Sequence, residues 1–224
     1  DLVGAVEVIF GEKSDSYAYA AELCRKKDKQ TDKLEALVVN VGEALEDKLY
    51  SQTKSVVFAS ATLSIDGDFT SFENAMGLNA GEDTRARTCQ LDSSYDFDKN
   101  MTVYVANDIP EPSDPHYLEA LERLLVGTHI AQQGSMLTLF TNRREMEKCF
   151  DVVQPVLKEE DLRLVCQKWG VSVKGLRDDF IKDRHLSLFA LKSFWEGFDA
   201  PGSTLRGVII PKLPFSKPTD PLSC

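Results

Sequence analysis

The chain has 224 residues, 42% hydrophobic and 28% charged, with a formal net charge of −10. These values fit one medium globular domain, or one domain plus an appended piece, and no segment reaches the run of roughly 18 apolar residues needed to cross a bilayer. The acidic balance excludes a broad basic surface for gripping nucleic acid, while leaving room for a narrow contact made by a few residues in a cleft.

In chain order, residues 2–10 alternate loosely, as an edge strand would, and residues 17–23 read as a second strand. The polar run between Leu23 and Leu34 reads as a solvated hairpin loop in preference to a DNA-backbone contact. Residues 38–50 read as an amphipathic helix, with Asn40 as cap, Glu43 three residues on, and Val41, Leu45 and Leu49 on one face. An apolar run at 55–59 predicts a short buried strand. Residues 68–76 predict a helix closed by Gly77. Short strands are expected at 88–91 and 101–105.

After the proline-rich connector at 110–115, the spacing predicts a long helix over 116–132, with Leu118, Leu121, Leu125 and Ile130 facing the core. A β–α rhythm follows: strands at 135–140, 162–166, 185–190 and 205–210, with helices at 143–157 and 173–182. Apolar strands alternating with helices of this length argue for an α/β fold with a parallel sheet covered by helices on both faces.

The five cysteines (Cys24, Cys89, Cys149, Cys166, Cys224) are scattered, with no C-x-x-C spacing. They read as reduced intracellular thiols, mostly buried, so neither a zinc site nor an iron–sulfur cluster is assigned. His116, His129 and His185 are equally dispersed and read as ordinary surface or core histidines. No basic-then-apolar leader opens the chain, and its first residue is Asp, which reads as a cut or cleavage point.

In a doubly wound sheet, functional groups collect on loops beyond the strand C-termini. Four polar clusters fall at such places: Ser60–Thr62, Thr141–Arg144, Gln167–Gly170 and Ser193–Asp199. Each has a bland alternative. Thr141 serves equally as a helix N-cap, the 60–62 segment as a turn, and Trp195 as core filling. Their recurrence after successive strands favours a shared rim.

The run Ser60, Ala61, Thr62, Leu63, Ser64 after an apolar strand resembles helicase motif III. The segment 139–146 (LFTNRREM) resembles motif IV. The segment 194–202 (FWEGFDAPG), followed by Lys212 to Phe215, resembles motif V of DinG/XPD-like superfamily 2 DNA helicases. The last match is the most specific, because it fixes several uncommon residues in one run. The resemblance implies a RecA-like second motor domain over residues 66–224, ending before motif VI, preceded by the tail of the first motor domain over residues 1–65. It implies that Ser60, Ala61 and Thr62 couple ATP state to DNA grip, and that Thr141, Asn142 and Arg143 meet the DNA backbone. Glu196, Gly197 and Asp199 would then face the nucleotide cleft. Trp195 has two readings, base stacking or packing, and its apolar setting favours packing.

The sequence holds no G-x-x-x-x-G-K-[ST] run and no D-E-x-H after an apolar strand. The resemblance therefore implies that ATP and Mg²⁺ are used by an intact protein. This chain would contribute no catalytic residue of its own and hold no metal. The implied function is a cytoplasmic helicase that moves 5′ to 3′ along single-stranded DNA in repair or replication. The implied partners are single-stranded DNA and the first motor domain of the same chain, with no membrane. Two alternatives remain open: a non-catalytic α/β module that binds nucleic acid or protein, and the helicase part of an exonuclease–helicase fusion.

Overall fold

The computed structural model describes residues 7–11, 17–22, 33–38, 41–78 and 86–215. They fall into two compact units, one ending at Met101 and one spanning Thr102–Phe215.

In the first unit, β1 (Tyr17–Glu22) pairs antiparallel with β2 (Lys33–Val38), Tyr17 opposite Val38. The polar run at 23–32 and the capping residue Asn40 lie outside the described residues. Helix α1 (Gly42–Lys48) continues into a 3-10 turn, Tyr50–Gln52. Helix α2 (Thr70–Met76) ends on Gly77 in the left-handed region at φ 70°, the closure expected for that glycine. The Tyr50 hydroxyl donates to the Met76 carbonyl at 3.1 Å.

Four expectations are corrected here. Residues 7–10 are helical, not a strand. The runs at 55–59, 88–91 and 101–105 form no strand. The reason is pairing: a strand exists only beside a partner that takes up its N–H and C=O groups. None of these runs is paired among the described residues, and Val57, Leu91, Val103 and Tyr104 stand exposed.

The second unit carries the expected α/β sheet. Its strands are β3 (Met136–Leu139), β4 (Leu164–Cys166), β5 (Ser187–Ala190) and β6 (Gly207–Ile209), in the spatial order β4-β5-β3-β6, and every pairing is parallel. Period-2 alternation sends neighbouring residues to opposite faces. Phe140, Phe189, Leu164 and Cys166 join one cluster with Tyr117, Leu121 and Leu125 of helix α3 (Tyr117–Gln132) and Met146, Cys149, Val153 and Leu157 of helix α4 (Arg143–Glu159). Leu137, Leu139, Leu188 and Ala190 face the other way, onto Leu176 and Phe180 of helix α5 (Val173–Lys182).

The i, i+3, i+4 spacing of Met146, Cys149, Val153 and Leu157 explains why α4 lies flat on the sheet, each burial stabilising by about 1.5–3 kcal/mol for the larger side chains. Pro155 sits inside α4 without ending it. Both Pro155 and Asp151, whose carbonyl would have accepted its N–H, lie on the exposed side, where water replaces the lost bond. On α3 the buried stripe is Tyr117, Leu121, Leu125 and His129, whereas Leu118 and Ile130 are only half-buried beside it.

His129 is thus a core histidine. Its Nδ1 lies 2.7 Å from the Leu125 carbonyl, and its ring packs on Phe189 at 5.8 Å. Burial holds its pKa below the ordinary 6.5, only partly offset by the Leu125 carbonyl. The unfolded chain therefore takes up this proton more readily than the folded one. Stability is full above about 6.5 and falls as pH drops from there toward the lowered folded value. Urea melts at successive pH values check this, and a His129→Gln variant is expected to flatten the slope in that window.

Candidate functional site

The C-terminal ends of four parallel strands define one rim. Phe140 and Ala190 end adjacent strands, joined by the bond from Phe140 N–H to Ala190 O at 2.8 Å. The loop carrying Thr141 and the loop carrying Asp199 therefore leave the sheet on the same edge. Within this unit the structure brings together Thr141, Asn142 and Arg143 after β3, the 167–170 loop after β4, and residues 191–199 after β5.

At the start of α4 the helix cap is Asn142, not Thr141. The Asn142 side-chain Oδ1 accepts from the Arg144 N–H at 2.9 Å, and the Thr141 hydroxyl stands exposed. Asn142, Arg144, Glu145 and Lys148 line a shallow pocket of about 340 Å³ with Asp114 and Tyr117. Glu145 pairs with Lys212. The Lys212 ammonium also sits 4.7 Å over the Tyr117 ring, and the Tyr117 hydroxyl donates to the Pro211 carbonyl at 3.1 Å. Burial, then the Glu145 charge, pushes the Tyr117 phenol up to about 12, so it remains a donor. These contacts join the segment after β6 to the segment after β3.

Gln167 links the next two loops. It is buried, and each of its four polar groups is used. Its N–H donates to Phe189 O at 2.9 Å, and its carbonyl accepts from Arg143 Nη1 at 2.7 Å. Its side-chain oxygen accepts from the Leu191 N–H and its amide nitrogen donates to Ser193 Oγ, both at 2.9 Å. A buried amide whose oxygen and nitrogen are both hydrogen-bonded fixes its neighbours.

Arg177 on α5 holds the far part of the loop. Its Nη2 donates to Ser193 O at 2.7 Å and its Nη1 to Gly197 O at 3.4 Å. The guanidinium lies 5.3 Å from the Phe194 ring and 5.8 Å from the Phe198 ring. Gly197 takes φ 64°, and a Cβ there would meet nothing within 4 Å. The glycine is thus required by backbone conformation and faces open space. Glu196 and Asp199 on either side are exposed carboxylates.

Trp195 is half-buried against the Leu176, Phe180 and Phe194 cluster, which makes it a packing residue. Ser60, Ala61 and Thr62 lie in the first unit, exposed, in a hydroxyl-capped turn where the Thr62 N–H donates to Ser60 Oγ at 3.3 Å. Cys149 and Cys166 are buried, and burial pushes both thiols up to about 12, so they are protonated packing groups. Sequence reasoning placed Gln167 in a rim cluster without a role and missed Arg177 altogether. The available signal was a basic residue beside the apolar stripe of Val173, Leu176 and Phe180, on the side turned toward the sheet.

Residues 126–223 match the helicase C-terminal domain family. Over 221 residues the chain is 28% identical to the 3′-5′ exonuclease DinG of Bacillus subtilis (strain 168), covering 97% of this chain and 23% of that protein. It is 30% identical over 185 residues to the ATP-dependent DNA helicase YoaA of Escherichia coli (strain K12), covering 82% of this chain and 28% of the relative. It is 31% identical, again over 185 residues, to the ATP-dependent helicase DinG of Mycobacterium tuberculosis (strain ATCC 25177 / H37Ra), covering 82% and 27%. The chain spans about a quarter of the length of these relatives. With its parallel sheet and loop-bearing rim, the chain carries a RecA-like helicase C-terminal domain, and over most of its length it is similar to the C-terminal part of the DinG and YoaA helicases.

Proposed function

We propose that the intact protein is an ATP-dependent DNA helicase of superfamily 2, and that this chain supplies one wall of its nucleotide cleft and part of its track for single-stranded DNA. The observation that carries this reading is the stitched rim: Gln167 and Arg177 hold three loops from distant parts of the sequence on one edge of a parallel sheet. Ligands of such sheets bind beyond the strand C-termini. Exposed Glu196 and Asp199, with the open left-handed turn at Gly197 between them, suit a nucleotide approaching the loop.

Among the described residues no three His, Cys, Asp or Glu side chains gather as a metal-binding group. In this reading Glu196 and Asp199 would order the water shell of a Mg²⁺ ion brought with the nucleotide phosphates. ATP supplies the phosphoryl group whose transfer drives the motor. Asn142, with Arg144 and Lys148 beside the same pocket, suits a backbone phosphate at the start of α4, and Thr141 and Arg143 flank it. Ser60, Ala61 and Thr62 take the coupling role, residues 1–65 the tail of the first motor domain, and residues 66–224 the second. Movement 5′ to 3′, a role in DNA repair or replication, and a cytoplasmic setting complete the proposal. Among the described residues no helix is long and apolar enough to cross a membrane.

The test is ATP hydrolysis by the intact protein with and without single-stranded DNA. The expected result is Mg²⁺-dependent turnover stimulated by DNA, with kcat/KM lowered roughly tenfold or more in Glu196→Gln or Asp199→Asn. The 224-residue chain alone is expected to stay at background. Mg²⁺-dependent turnover by that chain alone would overturn this division of labour.

A further inference from the structure

The chain contains two tryptophans, Trp169 and Trp195, both on loops of the same rim. The resemblance draws the eye to Trp195, yet that ring is occupied by packing. Trp169, at the end of β4, is 82% exposed. It is nevertheless held. The Arg143 guanidinium stands 4.6 Å from its ring centroid, and Arg143 is tied to the Gln167 carbonyl at 2.7 Å. One face of the indole is thus backed by a fixed cation, and its exposure leaves the other open.

An indole gains free energy by leaving water, so one supported in solvent invites a partner. The surroundings narrow the choice. Lys168 and Gly170 flank the ring and are exposed. Two cations stand beside it in loose ion pairs, Arg143 with Glu147 at 3.8 Å and Lys168 with Asp151 at 3.5 Å. The long Lys168 pair holds its charge weakly and leaves that ammonium able to turn to a phosphate, while Arg143, tied to Gln167, stays behind the ring. A flat aromatic ring joined to phosphates is a nucleotide of a single strand, whose bases are unpaired and can be splayed onto an aromatic platform.

We infer that Trp169 is a base-stacking residue for single-stranded nucleic acid, with Arg143 fixing it from behind. This rests on the helicase reading above and assigns the stacking role to Trp169 in place of Trp195. It needs no movement of the core, because the ring is already presented.

The experiment titrates the 224-residue chain with oligo-dT at low salt, following intrinsic fluorescence and anisotropy of a labelled strand. The expected results are saturable quenching in the parent, loss of that quenching in Trp169→Phe with affinity nearly kept, and roughly tenfold weaker binding in Trp169→Ala. An abasic strand of equal length is expected to bind parent and Trp169→Ala alike. Quenching that persists in Trp169→Phe, or equal oligo-dT affinity in parent and Trp169→Ala, overturns the stacking assignment while leaving DNA binding intact. Absence of any binding by the parent overturns both the assignment and the DNA track on this chain.

Discussion

Replacing Phe189 by alanine is expected to destabilise the second unit by about 3–5 kcal/mol, a large share of the roughly 5–15 kcal/mol that holds a domain of ordinary stability together. Phe189 lies on β5, an inner strand of the sheet, with no exposed surface. Its ring meets Phe140 at 5.2 Å, His129 at 5.8 Å and Phe150 at 6.4 Å, so it contacts residues of α3, α4 and the end of β3 at once. Those groups sit on strands and helices fixed by other contacts, which limits collapse into the space left behind. The cost is then transfer of the ring to water plus an unfilled cavity. Urea unfolding of the whole chain, followed by far-ultraviolet circular dichroism, checks it. Val156→Ala on the outer side of α4 serves as the comparison and is expected to shift stability by no more than about 0.5 kcal/mol. An unchanged midpoint for Phe189→Ala would mean that the face of the sheet under α3 and α4 is not packed as described.

The sheet was legible because its strands are short, mostly apolar runs separated by helices of clear period, and β3 and β5 are buried on both faces. Residues 136–139 and 187–190 need no context to be read that way. The run at 55–59 has the same composition and forms no strand, because pairing is a property of two segments and composition belongs to one. Residues 101–105 fail for the same reason. The rim was legible by inference: once strands are placed, the segments after them share an edge, which put Thr141 and the 193–199 loop together. What holds the rim was not legible. Gln167 and Arg177 act through distances to residues 24–26 and 16–20 positions away, and a linear pattern carries no such distances. Trp195 follows Phe194 and lies three residues before Phe198, whereas Trp169 stands between Lys168 and Gly170, and the two differ in burial. That contrast is present in the sequence, but the motif V match covers Trp195 and leaves Trp169 outside it.

Arg177 provides the sharpest separation between a loop that is merely present and one held in place. Its guanidinium spans two carbonyls four residues apart while its planar face lies against Phe194 and Phe198, and its Nε is buried with no hydrogen-bond partner among the described residues. A planar fork that donates in two directions and stacks on aromatic rings is particular to arginine; the point charge of lysine cannot do both. Arg177→Ala is expected to cost about 1–2 kcal/mol in global stability, since the helix and sheet keep their own cores. The larger effect is local. Amide hydrogen exchange at residues 193–199 should accelerate about tenfold beyond the global change, with β3 and β5 following the global change alone. Arg177→Lys should resemble Arg177→Ala in the loop, even though it keeps the charge. On the proposed assignment of Glu196 and Asp199 to the nucleotide and Trp169 to the strand, the same two variants in the intact protein should raise KM for ATP with DNA affinity near the parent value, because the 193–199 loop loses its fixed position and the 167–170 loop does not. Uniform acceleration across the sheet would show that Arg177 serves global stability, and full rescue by lysine would show that charge alone suffices. Either result would remove it as the positioning residue of the 193–199 loop.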